Sequence, residues 1–352
     1  MRRVAKISAA CLATAALALS ATACGSTSNE KDSGSGSSDS GKNGVKIGLA
    51  FDVGGRGDHS FNDSAARGAD KAKSEFGGSL KELTAKTTDT EADREQRLSD
   101  LASAGYNPII GVGYAYSNSM TKVAAKFPKT TFGIVDSVVN TKNTDSIVFT
   151  EEQGSYLAGV AAALKTKSNH VGYIGGVDVP LIKKFEAGFV QGVQDTNKKI
   201  KIDTQYLSHG SDTSGFSSPD KGKEAAQGML DKGADVIYSA AGSSGNGSIE
   251  AVSGKKGAWG IGVDSDQYNI PGLAKYKKSI LTSVVKNVDV GVYELIKSVK
   301  DGKPLTGTHS YSLAEKGVSL STSGGFIDDI KAKLDAAQQG IIDGKIKVKT
   351  TP

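Results

Sequence analysis

Beyond residue 44 the chain alternates between short apolar runs and longer stretches in which apolar residues recur every three or four positions. The runs Lys46–Phe51, Pro108–Val112, Thr131–Val135, Ser146–Phe149, His170–Ile174, Lys201–Leu207, Val236–Tyr238 and Trp259–Val263 predict β-strands. The stretches Ser64–Phe76, Thr90–Ala104, Ser117–Phe127, Gly154–Lys165, Leu181–Thr196 and Asp220–Lys232 predict α-helices. Strand followed by helix, repeated, implies βαβ units and parallel sheets. The alternation restarts near residue 150, and roughly 300 residues exceed one comfortable core. The expected class is therefore α/β, with two doubly wound lobes.

In such sheets ligands sit beyond the carboxyl ends of the strands. That rule picks out Asp52, Gly113, Asp136, Gly175–Gly176, Ala241–Gly242 and Asp264. Strand-end acids also serve as helix caps and turn formers, and Asp52 suits a cap for the loop glycines as well as a ligand contact. Residues 47–68, IGLAFDVGGRGDHSFNDSAARG, are the most informative stretch. A strand runs into Asp52, a glycine-rich loop follows, and Phe61 and Asn62 stand where an alanine-rich helix begins. The aromatic supplies stacking area and the amide reads hydrogen-bond pattern, which is what a pocket for a flat polar molecule needs. The competing role for Phe61, and for Phe185 further along, is that of a core aromatic.

The first 23 residues read as a leader, with Arg2, Arg3 and Lys6 preceding an apolar stretch from Ile7 to Ala18 that is too short to span a bilayer. Its end, Ala21-Thr22-Ala23-Cys24-Gly25, resembles a bacterial lipobox in which Cys24 is lipidated and becomes the mature N-terminus; Ala21 replaces the usual leucine. Of the two cysteines, Cys11 falls in the leader, so only Cys24 remains and no disulfide or zinc cluster can form within one mature chain. Residues 25–44 are glycine, serine and scattered charge, the composition of a flexible tether. The formal net charge is +5, and the leader accounts for three basic residues, leaving 40 against 38 acids. With no basic-aromatic stripe, nothing points to nucleic acid as a partner.

Enzymatic readings find little support. The histidines His59, His170, His209 and His309 lack metal-site spacing. Asp58-His59-Ser60 are sequence neighbours, which do not face one another as a triad must, and no G-x-S-x-G elbow occurs. Gly111-Val112-Gly113 lacks the third glycine of a dinucleotide fingerprint, and the run from Gly242 to Gly247 lacks the ending of a phosphate loop. Both suit tight strand-to-helix turns.

From about Val45 to Lys347 the chain resembles the basic membrane protein family of bacterial lipoproteins, which includes purine nucleoside receptors. The resemblance rests on Asp52 with Gly57-Asp58-His59-Ser60-Phe61-Asn62, on Glu151 to Gly159, on Phe185-Glu186-Ala187-Gly188-Phe189, on Gly233 to Tyr238 with Ala240-Ala241-Gly242, and on Ile261 to Gln267. It implies the type I periplasmic-binding-protein fold, two lobes joined by a three-strand hinge that close on ligand, serving an ABC importer. It also implies that Phe61 and Phe185 form the walls of a base sandwich, that Asn62 contacts the base edge, and that Phe189 is core. Asp136 resembles the family's base-contacting acid, Asp264 the acid that accepts from ribose hydroxyls, and Lys286 the lysine that reaches the sugar. Gly242 brings backbone close to the ribose.

The expected organisation is leader 1–23, Cys24 and tether to 44, one lobe of 45–150 plus about 287–309, and a second of 151–286 plus about 310–348. The expected function is a lipid-anchored, monomeric solute-binding protein on the outer face of the membrane. It captures a nucleoside, most simply a purine nucleoside, for an ABC permease, with no cofactor, metal or covalent chemistry. Rival ligands are riboflavin and simple sugars. Rival classes are a sensory lipoprotein and a nucleoside hydrolase, the latter disfavoured by the lack of an aspartate cluster with calcium-site spacing.

Overall fold

The computed structural model describes residues 44–352. The leader, Cys24 and all but the last residue of the tether lie outside them. The chain begins with β1 (Val45–Phe51), α1 (Phe61–Phe76), β2 (Gly78–Thr84), α2 (Glu91–Ser103) and β3 (Ile109–Val112). It continues through α3 (Ser117–Lys126), β4 (Phe132–Val135), β5 (Thr144–Phe149), α4 (Glu151–Lys165), β6 (His170–Asp178) and α5 (Pro180–Thr196). Then come β7 (Lys201–His209), α6 (Pro219–Asp231), β8 (Val236–Ala240), α7 (Ser244–Ser253), β9 (Trp259–Asp264) and β10 (Ile280–Lys286). It ends with α8 (Val288–Lys300), β11 (Gly307–Tyr311), β12 (Val318–Leu320) and α9 (Lys331–Ile342).

These elements build two α/β lobes, each around a six-stranded sheet. The first sheet has the order β11-β5-β4-β3-β1-β2 and is wholly parallel. The second has the order β12-β10-β9-β8-β6-β7, parallel except for the edge strand β12. Their central strands are buried on both faces, hence the continuous apolar runs in the sequence. In both sheets the order reverses about one central strand, β1 in the first and β6 in the second. Crevices therefore open beyond β1 and β3 and beyond β6 and β8.

The chain passes between the lobes three times: at Thr150, at Asn287, and between β11 and β12. The passages lie side by side. The Thr150 amide donates to Tyr311 O at 3.2 Å, and the Asn287 amide to Gly317 O at 2.8 Å.

Two sequence expectations change here. Helix α1 starts at Phe61, three residues before the expected Ser64, because Asp58 caps it: its carboxylate accepts from the amides of Ser60, Asn62 and Asp63 at 2.8–3.1 Å. Strand β6 runs on through Gly175–Gly176 to Asp178, paired with β7 as far as His209, so these glycines lie within a strand and not at its end. The motifs Glu151–Gly159 and Phe185–Phe189 also form a packing seam through their glycines. A β-carbon at Gly159 would come 2.2 Å from Phe189 O, and one at Gly188 would come 2.1 Å from Glu152 O, so α4 and α5 touch backbone to backbone.

Candidate functional site

A cavity lies between the lobes at the carboxyl ends of both sheets. It is lined from the first lobe by Asp52, Phe61, Asn62, Gly113, Tyr114 and Asp136, and from the second by Phe185, Phe216, Gly242, Asp264 and Lys286. All eight ligand-contact positions expected from the sequence are thus brought together. Its free volume is about 50 Å³, far below the several hundred Å³ typical of small-molecule sites.

Lys286 fills the centre. This last residue of β10 is 2% exposed, and its ammonium stands 2.5 Å from Asp136 Oδ2, 3.9 Å from Glu151 Oε1 and 4.0 Å from Asp264 Oδ1. Aromatic faces close around it: the ring centres of Phe61, Phe149 and Phe185 lie 4.8, 5.4 and 5.5 Å away. Each contact favours the charged ammonium. Burial pulls the Lys286 pKa down, but the fields of Asp136, Asp264 and Glu151 outweigh it and hold it above the ordinary lysine value. Burial pushes Glu151 up, against the opposing pull of Lys286. Three buried acids around one base leave excess negative charge, and the nearby Asp136 carboxylate adds to the upward push on Glu151.

The strand ends themselves are unusual. Asp136, immediately after β4, has φ 64°, and Asp264, at the end of β9, has φ 62°. Left-handed backbone at a non-glycine residue costs energy and concentrates at functional sites. The turn at each strand end aims its carboxylate into the cleft. Asp264 Oδ2 accepts a hydrogen bond from Ser60 Oγ at 2.6 Å, and burial raises its pKa despite Lys286 and Ser60. Among the described residues, neither Asp136 Oδ1 nor the Tyr114 hydroxyl finds a hydrogen-bond partner, although both are buried.

Asp52 and Asn62 form the floor of the first lobe. Asn62 donates to Asp58 Oδ2 at 3.0 Å and to Val53 O at 3.3 Å, and accepts from the Asp52 amide at 3.2 Å. Both of its N–H groups are therefore spent on the loop, leaving one carbonyl lone pair toward the cavity. Burial pushes the Asp52 carboxyl up to about 6, opposed by the Val53 amide and by Arg94. Asp58 is likewise pushed up to about 6 by burial, against the amides it caps. Gly113 stands against Asp52: a β-carbon there would meet Asp52 Oδ2 at 2.9 Å. Gly242 fits just as closely, 2.9 Å from Phe216 O, with φ 55°.

Four contributors are not among the positions expected from the sequence. Tyr114 directly follows Gly113 and meets Phe216 of the other lobe edge to face, ring centres 6.5 Å apart. Its signal was its place after a strand end. Glu151 and Ser60 lie within family motifs that give them no separate role, and Phe216 sits in an irregular segment that carries no pattern. His59 is a partly exposed loop residue whose ring packs on Gly272. Among the described residues no group of three or more His, Cys, Asp or Glu is arranged to hold a metal ion.

Residues 45–351 match the family model Bmp, described as ABC transporter substrate-binding protein PnrA-like. The chain belongs to this family. An ABC transporter nucleoside-binding protein BmpA of Lactococcus lactis subsp. cremoris is 35% identical over 87% of this chain and 90% of its own. An uncharacterized lipoprotein of Pyrococcus abyssi is 33% identical over 87% of this chain and 74% of its own. Among solved structures, an ABC transporter solute-binding protein from Aeropyrum pernix K1 superposes with a TM-score of 0.75 at 29% identity, covering 87% of this chain and 93% of that one. As a Bmp-family substrate-binding protein, this chain takes a small molecule as ligand and an ABC permease as partner. No helix among the described residues is long and apolar enough to cross a membrane.

Proposed function

We propose that this protein captures a nucleoside with a purine base in the cleft between its lobes and delivers it to the permease of an ABC importer. The observation that carries this reading is the pairing of Phe61 and Phe185, from opposite lobes, around a cavity edged by strand-end carboxylates. Two aromatic faces suit a planar ring, with stacking contributing about 1–3 kcal/mol per base. The carboxylates of Asp136 and Asp264 suit a ligand rich in N–H and O–H donors, as a base edge and a ribose are. Asn62 adds one carbonyl lone pair, and Gly242 lets a sugar approach backbone. The lining has four carboxylates (Asp52, Asp58, Asp136 and Asp264), one ammonium and no guanidinium, which disfavours phosphorylated nucleotides. The similarity to a nucleoside-binding relative points the same way.

Binding requires movement. A nucleoside does not fit in about 50 Å³, so Lys286 leaves Asp136 and the walls part as the lobes turn about the three passages. Lys286 then turns to the sugar hydroxyls beside Asp264, and Asp136 is freed for the base. Calorimetric titration with inosine, guanosine and adenosine tests the reading. A folded, ligand-free sample giving heat with none of them overturns it.

We further infer from the lipobox-like sequence that Cys24 carries a lipid and holds the protein on the extracytoplasmic face of the membrane, in line with the lipoprotein name of the Pyrococcus relative. Cys24→Ser is expected to release the protein into the culture medium. Retention of that variant in the membrane fraction counts against the anchor.

A further inference from the structure

Ser60 occupies the N-cap of α1 yet makes no side-chain capping bond. An N-cap serine ordinarily accepts from an amide two or three residues on. Here Asp58 performs that task, binding the amides of Ser60, Asn62 and Asp63. The freed hydroxyl crosses the cleft, donating to Asp264 Oδ2 at 2.6 Å. The Ser60 carbonyl is held from the same side: Ser265 Oγ donates to it at 2.9 Å, and Arg67 of the first lobe donates to Ser265 Oγ at 3.1 Å. The neighbours are gripped too, with Asn246 donating to Asp58 O at 3.1 Å and Gln267 to His59 O at 3.0 Å. Ser60 and Ser265 are completely buried.

We propose that Ser60 is a closure residue: its hydroxyl, idle as a helix cap, fastens the loop of the first lobe onto Asp264 of the second and so keeps the cleft shut around a ligand that Asp264 also holds. The ligand part rests on the nucleoside reading. The hydroxyl reaches Asp264 only when the lobes meet, so the bond is absent from the open form and from the encounter with ligand. It must break before the lobes part, so it slows escape and can only slow, never speed, capture. A hydrogen bond to a charged group, lost only from the closed state, raises the dissociation rate about ten-fold or more. Helix α1 keeps its Asp58 cap, so the fold does not depend on Ser60.

The test compares the full chain with its Ser60→Ala variant in three measurements: stopped-flow nucleoside binding, thermal unfolding, and hydrogen–deuterium exchange by mass spectrometry. The proposal expects about ten-fold faster dissociation, an association rate no lower than the parent's, and a melting temperature lowered by no more than the loss of one hydrogen bond allows. It also expects faster exchange confined to residues 57–66 and 261–269. Unchanged dissociation and exchange overturn it. A lowered melting temperature with exchange faster throughout also overturns it, since that marks a structural role. If the parent protein binds no nucleoside, the nucleoside reading fails by itself and exchange in the ligand-free pair decides. Faster exchange in both segments supports the closure role, and equal exchange removes it.

Discussion

The ammonium of Lys286 stands 2.5 Å from the carboxylate of Asp136, tying the end of β10 in one lobe to the end of β4 in the other. Both groups are buried, so the pair is maintained by mutual need: removing one partner leaves an uncompensated charge, at a cost of about 3–5 kcal/mol. Lys286→Met strands three acids at once and is expected to lower stability by about that much while abolishing ligand binding. Chemical denaturation checks it. A variant as stable as its parent contradicts the described network.

Asp52 has a raised pKa because it is buried, so the folded state holds its proton more tightly than the unfolded chain. The associated stability is complete below about pH 4 and is lost as pH rises through about 6. Two pH units correspond to about 3 kcal/mol. Asp52→Asn keeps an acceptor for the Val53 amide and has no charge to bury. Its stability relative to the parent is expected to climb between pH 4 and 6 and then level off. Parallel stability curves across that window eliminate the idea.

The two aromatic walls make different demands from their neighbour in the core. Phe61→Ala and Phe185→Ala are each expected to weaken nucleoside binding about 10- to 100-fold, as loss of one stacking face predicts. Phe189, fully buried against Tyr173 and Tyr238, belongs to the interior. Phe189→Ala is expected to cost about 3–5 kcal/mol of stability. Calorimetry and denaturation on the three variants separate these outcomes, and equal affinity losses in all three refute the division.

Gly113 adopts φ 109° and ψ 151°, a region open essentially to glycine alone. An added methyl also meets Asp52 at 2.9 Å. Gly113→Ala is expected to destabilise by about 1–3 kcal/mol and to displace the Asp52 carboxylate. A melting temperature within error of the parent argues against this geometry.

The sequence made the central strands plain because burial on both faces leaves unbroken apolar runs, as in Ile109–Val112 and Phe132–Val135. Asp136 and Asp264 stood out as acids directly after such runs. Strand β2, GSLKELT, carries no strand pattern because it is an edge strand with no fully buried position. Helix α7, SGNGSIEAVS, was hidden by small residues that packing demands: a β-carbon at Gly247 would come 1.8 Å from Pro219 O. Other relationships depend on how the lobes meet, and no local pattern encodes them. Ser60 and Asp264 are 204 positions apart, and Tyr114 meets Phe216 from the opposite lobe.

The left-handed backbone at Asp136 and Asp264 limits which residues can replace them. Glycine, asparagine, aspartate and, less often, histidine occupy such conformations most cheaply, so most single replacements there incur a folding penalty before they offer any new chemistry. Substitutions at neighbours on ordinary backbone, Tyr114 and Phe216 foremost, change the cavity's shape without that penalty.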